Sequence, residues 1–365
     1  MKKFISAVLV SAMMLTLLGS CQSGGGSSTA SESGTSSESS VSSSESSEES
    51  SEAPSESSEE ASSGAEKLGV EMNIAFLKGP TGLGALELMD ANDKGETAVD
   101  YNISLVASAD EIVSGIGSGE YDLAAAPTNL GSTLYNKTSG GVSIVAINTL
   151  GVLYVLEKGD VAVSTVEDLR GMDIIASGEG STAEYVLDYI LSENGIDPET
   201  DVNITYYTEH AEAATALSSA ENAVAVLPQP FVTTVMNQDE GVSIALDLTD
   251  EWEKVTDGAQ LVMGSIIGRN EYIEANPEAV DAFLDEYAAS TDFVNNSVEE
   301  AAALSESYDL FPAAVASKAI PNCNIVFMEG EEMKASAESF LQVMYDYEPS
   351  TVGGTLPGDD FYFAR

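Results

Sequence analysis

The 365 residues carry 61 Asp and Glu against 13 Lys and Arg, a formal net charge of −48 at pH 7. Such an acid excess excludes a nucleic-acid partner, whose phosphates need a basic face, and gives the surface itself no grip on an anionic bilayer. It favours solubility, but net charge does not report the sign of a buried site.

Lys2 and Lys3 precede an apolar run over residues 4–18. That run is too short for a permanent membrane span and right for the core of a secretory signal. Leu18-Gly19-Ser20-Cys21 follows and resembles the bacterial lipobox, in which cleavage falls before the cysteine and its thiol takes up diacylglycerol; the alternative is an ordinary signal peptide with an incidental cysteine. Residues 1–20 are therefore expected to be a lipoprotein signal peptide. Acyl chains on Cys21 would hold the mature protein on the outer face of the cell membrane, each buried methylene contributing about 0.8 kcal/mol.

Residues 21–66 are mostly Ser, Gly and Glu with scattered Ala, without Lys, Arg or an aromatic residue. Nothing there buries enough apolar surface to offset chain entropy, so a disordered tether is expected, extended by repulsion within pairs such as Glu48-Glu49 and Glu59-Glu60. A Ser-rich glycosylated stalk fits the same composition. Ten of the acids lie in this segment and two of the bases precede it, which leaves 51 acids against 11 bases, or −40, for residues 67–365. About 300 residues exceed one typical core and imply two domains. With Cys21 acylated, Cys323 has no partner for a disulfide and reads as structural.

Lys78-Gly79-Pro80-Thr81-Gly82-Leu83-Gly84 follows a short apolar strand over 72–77 and opens a helical pattern at Leu83, Leu86 and Met89. Free N–H groups at such a helix start can hold an anionic or polar group, although the spacing is neither a Walker phosphate loop nor a dinucleotide fingerprint. Strand-like runs follow at 101–106, 121–126 and 142–147, with helix-like runs from Ala109 to the glycines 117 and 119 and over 130–135. This alternation implies mostly parallel sheet packed between helices. The apolar run over 150–156 reads as a strand crossing out of the first domain.

The organisation then repeats. A helical turn over 166–171, a strand over 173–176 and the turn Ser177-Gly178-Glu179-Gly180-Ser181-Thr182 lead into a helix over 182–193, stopped by Gly195. Ser181 and Glu184 have capping-box spacing. Strands over 202–207 and 223–227 end at Thr208-Glu209-His210 and Pro228-Gln229-Pro230-Phe231, with a helix over 211–217 between them.

Gly79-Pro80-Thr81-Gly82, Ser164-Thr165-Val166-Glu167-Asp168-Leu169-Arg170-Gly171, the 177–182 loop, Gly195-Ile196-Asp197-Pro198, the 227–231 stretch and Asn270-Glu271-Tyr272-Ile273-Glu274-Ala275-Asn276-Pro277-Glu278 occur in this order. Together with the lipobox, they resemble the substrate-binding proteins of ABC importers in the nitrate, sulfonate, taurine and thiamine-precursor group. The resemblance covers nearly all of residues 70–365. It implies a two-lobed α/β fold of the second periplasmic-binding-protein type, each lobe a mixed, mostly parallel sheet flanked by helices. Lobe 1 would be 67–155 with 262–365, and lobe 2 would be 156–261. The outward crossing would lie over 153–157 and the return over 260–267. Implied partners are a membrane permease and its ATPase, with hinge closure as the capture step.

Ligands of open α/β sheets bind at the carboxyl ends of strands. The candidates there are Thr81, Gly82, Pro127, Thr128 and Asn129 from the first lobe, and Ser177, Ser181, Thr182, His210 and Gln229 from the second. Thr128, Asn129, Ser181 and His210 also stand where helix caps would. Similar proteins often carry an acid at the position of Gln229, which leaves the ligand's charge open between a sulfonate-like anion and a pyrimidine-like ring. Phe231 and Trp252 read as core. No catalytic residue, metal ligand or cofactor is expected, and a monomer is the default. Two readings compete with a binding protein: an enzyme on the same fold, of the pyrimidine-synthase or dehydratase kind, and a surface adhesin on its stalk. The first lacks the expected cysteine-rich motif and histidines; the second leaves the repeated glycine loops unexplained.

Overall fold

The computed structural model describes residues 66–365. The expected signal peptide, the lipidation site Cys21 and all but the last residue of the tether lie outside the described residues. From there the chain runs β1 (Glu71–Leu77), α1 (Pro80–Gly84), α2 (Leu86–Lys94), β2 (Asp100–Val106), α3 (Ala109–Ser118), β3 (Leu123–Pro127), α4 (Thr128–Thr138) and β4 (Val142–Thr149). β1 pairs in parallel with β2 on one side and β3 on the other. The ends of α3 show why these boundaries are local. Ser108 and Glu111 form a complete capping box at its start, and Gly119, at φ 79°, turns the chain out at its end.

A second run follows: β5 (Leu153–Lys158), β6 (Asp173–Ser177), α5 (Thr182–Glu193), β7 (Asn203–Tyr207), α6 (His210–Ser219), β8 (Ala223–Pro228), α7 (Phe231–Gln238), β9 (Val242–Asp247) and α8 (Leu248–Val255). The chain then adds β10 (Gly264–Arg269), α9 (Asn270–Ala275), α10 (Pro277–Asn296), α11 (Val298–Ser307), α12 (Ala313–Ala319), β11 (Ile325–Met328) and α13 (Gly330–Tyr347). Two sheets result, one of order β11-β4-β10-β3-β1-β2 and one of order β7-β6-β8-β5-β9.

Both sheets are mixed. Four of the nine strand pairings are parallel and five antiparallel, a smaller parallel share than expected. The reason is connectivity: β5 and β10, the strands that enter from the other sheet, run against both of their neighbours. The run over 150–156 also divides. Residues 150–152 cross between the sheets, and only from Leu153 does the chain pair in the second one, so the expected outward crossing over 153–157 sits inside β5. Gly151 makes the crossing tight, since a Cβ there would lie 2.2 Å from Thr249 Oγ1. The return occupies 256–263, and Gly264 already pairs with Pro127 and Thr149.

The first sheet buries Phe76 against Tyr287, with ring centroids 5.7 Å apart, and Tyr287 against Phe283 at 5.6 Å. Each such ring contributes about 1.5–3 kcal/mol by leaving water. The second sheet is covered by α5 and α8, where the fully buried Trp252 meets Tyr189 at 5.2 Å and Phe340 of α13 at 5.6 Å. Phe231, at the start of α7, meets Phe311 at 5.4 Å. The chain after residue 298, expected to belong wholly with the first sheet, therefore packs on both. Cys323 is buried and has no disulfide partner among the described residues, and burial raises its thiol pKa, in keeping with a structural role.

Candidate functional site

The carboxyl ends of β1 and β3 from one sheet, and the carboxyl end of β8 with the start of α5 from the other side, border a cavity of about 80 Å³. The first sheet supplies residues 77–81, Ala125, Ala126, Pro127, Thr149, Met263 and Gly264 to its wall; the second side supplies Val152, Leu153, Ser181, Thr182, Ala183, His210 and Pro228.

On the first wall, the chain leaves β1 with Lys78 N–H bonded to Val106 O at 2.9 Å. It then folds back so that Thr81 Oγ1 donates to Leu77 O at 2.8 Å. Gly82 lies beneath this turn and not on the cavity: a Cβ would stand 3.0 Å from Leu77 O. Its role is to let the turn close. Pro127 lines the cavity at the end of β3. Thr128 is fully buried, its N–H bonded to Met263 O at 3.2 Å and its hydroxyl unpartnered, and it does not reach the cavity.

On the second wall, Gly178 and Gly180 take φ of 87° and 71°, a left-handed conformation that favours glycine. This brings Ser181 Oγ to within 2.5 Å of Gly178 O, to which it donates, while it accepts the Ala183 N–H at 3.3 Å. The expected capping box is displaced by one residue, because the Glu184 carboxylate accepts the N–H of Gly180 and not of Ser181. Ser177 Oγ lies 2.6 Å from His210 Nδ1 but is not on the cavity wall; His210 is. Burial lowers His210 to about 4, so the ring is neutral at pH 7 and serves as a hydrogen-bonding group.

Asn129 and Thr182 join the two walls. Thr182 Oγ1 donates to Asn129 Oδ1 at 3.0 Å, and Asn129 Nδ2 donates to Thr351 O at 3.1 Å and to Gly180 O at 3.4 Å. Asn129 thus ties the walls together behind the cavity and does not line it. Gln229 faces elsewhere: its Oε1 accepts Thr233 Oγ1 at 2.8 Å and Thr233 N–H at 3.2 Å, and it is absent from the wall.

Of the ten candidates, Thr81, Pro127, Ser181, Thr182 and His210 meet at the cavity; Gly82, Thr128, Asn129, Ser177 and Gln229 support it from behind. Sequence reasoning passed over Lys78, Thr149 and Met263. The strand-end rule applied to β4 finds Thr149, and Lys78 heads the very loop singled out, whereas nothing local marks Met263. Two further cavities meet the first at His210. One, of about 220 Å³, takes in Asp110 and Glu179; the other, of about 280 Å³, takes in Lys78, Glu209, Phe231 and Phe311. Among the described residues, no group of three or more His, Cys, Asp or Glu is placed to hold a metal ion. The site offers hydroxyls, one neutral imidazole and apolar walls, a set suited to enclosing a small molecule.

Residues 93–307 match the sequence model of the NMT1-like family. No curated protein sequence matches the chain. Among solved structures, an ABC transporter protein from Parabacteroides distasonis is 21% identical with a TM-score of 0.67, covering 81% of this chain and 99% of its own. The alkanesulfonate-binding protein SsuA from Xanthomonas axonopodis pv. citri, bound to MOPS, is 15% identical with a TM-score of 0.64, over 80% and 96% of the two chains. The periplasmic nitrate-binding protein NrtA from Synechocystis PCC 6803 is 15% identical with a TM-score of 0.58, over 78% and 83%. These likenesses show the fold: two lobes of the second periplasmic-binding-protein type.

Proposed function

The chain belongs to the NMT1-like family, and we propose that it is the solute-binding component of an ABC importer, a lipoprotein that captures a small polar molecule between two lobes and presents it to a permease and its ATPase. One observation carries this reading: the cavity is walled from both sheets, and Thr182 and Asn129 are hydrogen-bonded to each other across the gap between those walls. Residues 150–152 and 256–263 are the only strand-to-strand crossings between the sheets among the described residues, so a rotation there opens the site. Lobe 1 is then built on 67–149 and 264–365 and lobe 2 on 153–255, with the late helices bridging both. Cys21 anchors the protein outside the cell membrane, and 21–66 is the tether. The similarity to proteins named for alkanesulfonate and nitrate supports a small, polar cargo.

An enzyme reading draws on the 2.6 Å contact between Ser177 and His210. Ser177, however, lies behind the wall, so the contact orients the imidazole and presents no nucleophile to a ligand.

The test is a thermal-shift screen of the full chain against sulfonates, short carboxylates, nitrate, pyrimidines, amines and amino acids. A compound present at a hundred times its dissociation constant stabilises the fold by about 2.7 kcal/mol. A stabilising compound recovered chemically unchanged supports the reading. A compound converted to product contradicts it, as does a well-folded chain that responds to none of the panel and releases no trapped small molecule on denaturation.

A further inference from the structure

Of the 51 acids in residues 67–365, none lines the 80 Å³ cavity; the ionisable groups on its wall are Lys78 and His210. In a chain this acidic, such a gap marks the wall out from the two adjoining cavities, which carry Asp110 and Glu179 in one and Glu209 in the other. The bases repeat the pattern. Among the described residues, eight of the eleven Lys and Arg have a carboxylate within 4 Å, leaving Lys78, Lys137 and Lys318. Lys318 is hydrogen-bonded to Asn237 Oδ1 at 2.7 Å, and neither it nor Lys137 borders the cavity. Lys78 is exposed, has no side-chain partner among the described residues, and stands where the cavity meets the aromatic groove of Phe231 and Phe311.

Resting on the binding-protein reading above, we infer that Lys78 is the residue that selects the ligand's charge, and that the ligand is a small organic anion, a carboxylate or sulfonate, whose head pairs with Lys78 and whose short apolar body enters the cavity. The body points inward because the cavity wall beyond Lys78 is apolar, with Ala125, Ala126, Val152, Leu153 and Met263, whereas the outer groove carries Glu209, which repels an anion. At about 80 Å³ the cavity takes roughly five water-sized groups, a chain of a few carbons. The neutral ring of His210 is the further polar side chain open to it, since the hydroxyls of Ser181 and Thr182 already donate to Gly178 O and Asn129 Oδ1.

The experiment compares butyrate and propane-1-sulfonate with their neutral and cationic counterparts, butyramide and propylamine, by thermal shift and calorimetry on the full chain. Wild type, Lys78→Gln and Lys78→Arg are measured, with ligand-free melting curves as the folding control. We expect one or both anions, and neither counterpart, to stabilise wild type. The Gln variant, unchanged in its ligand-free melting temperature, loses about tenfold or more in anion affinity, and the Arg variant keeps most of it. A preference for butyrate or for the sulfonate assigns the head group. If butyramide or propylamine binds wild type as well as the anions do, or if Lys78→Gln binds the anion at wild-type strength, the inference is overturned while the binding-protein reading stands. If none of the four binds but another neutral or cationic compound of the wider screen does, the inference again fails alone.

Discussion

Thr182 Oγ1 donates to Asn129 Oδ1 at 3.0 Å, and the Asn129 N–H donates back to Thr182 Oγ1 at 3.4 Å. Both residues are buried, and they belong to helices on different sheets. An unmade hydrogen bond between buried groups costs about 1–3 kcal/mol, so this pair adds a polar tie to the apolar clusters that run between the two sheets. Thr182→Val keeps the shape and removes the donor. We expect a larger radius of gyration for the ligand-free variant in small-angle scattering, with ligand affinity reduced; an unchanged radius and affinity would mean that the pair does not govern closure.

Gln229 was a natural candidate from sequence, standing after a strand and between two prolines. Its amide oxygen is spent on Thr233. Gln229→Ala is therefore expected to lower stability by about 1–2 kcal/mol while leaving ligand affinity near wild type. Loss of binding without loss of stability would return Gln229 to the site.

How much was legible in the sequence follows from the range of the forces involved. Elements set by local rules were readable: the helix at Thr182–Glu193, capped by Ser181, and the turn glycines 119 and 195 all depend on residues within a few positions. Strand ends were readable too, and so was the general place of the cavity between the sheets. Whether a side chain points into the cavity or behind it depends on the partner across the gap, such as Thr351 for Asn129 or Thr233 for Gln229. No spacing in the sequence records those partners. The contact of α13 with the second sheet is hidden for the same reason, since only the packed fold shows Phe340 against Trp252.

That contact carries its own prediction. Trp252 is the only tryptophan in the chain, it is fully buried, and its Nε1 donates to Ala259 O at 2.8 Å. Phe340→Ala opens a cavity beside it and is expected to cost about 3–5 kcal/mol. Tryptophan emission should shift to the red in the folded variant. Emission and stability both unchanged would show that α13 does not seal the second sheet.

Two titrations act on stability with opposite signs. Burial lowers His210 from 6.5 to about 4, so between those values the unfolded chain binds a proton that the folded ring refuses. This contribution is complete above pH 6.5 and is lost as the pH falls towards 4. Asp188 is raised from 3.8 to about 7 by burial first, then by the charges of Glu184, Glu199 and Glu348. There the folded chain holds a proton that the unfolded chain has released, so stability falls as the pH rises from 3.8 to about 7, and the cost is complete above that. Asp188→Asn is expected to raise stability at pH 8 by about 1–2 kcal/mol, discounted for partial exposure, and to change it little at pH 4. Melting curves at the two pH values check this; an equal change at both would point to packing and not to charge.

A crystal structure of the full chain, grown with whichever compound of the screen gives the largest thermal shift, locates the ligand itself. We expect its density in the cavity between the sheets, touching Lys78, Thr81 or Pro127 on one side and Ser181, Thr182 or His210 on the other. Density elsewhere on the chain, or a chemically altered compound in the cavity, would contradict capture of a solute between the two lobes.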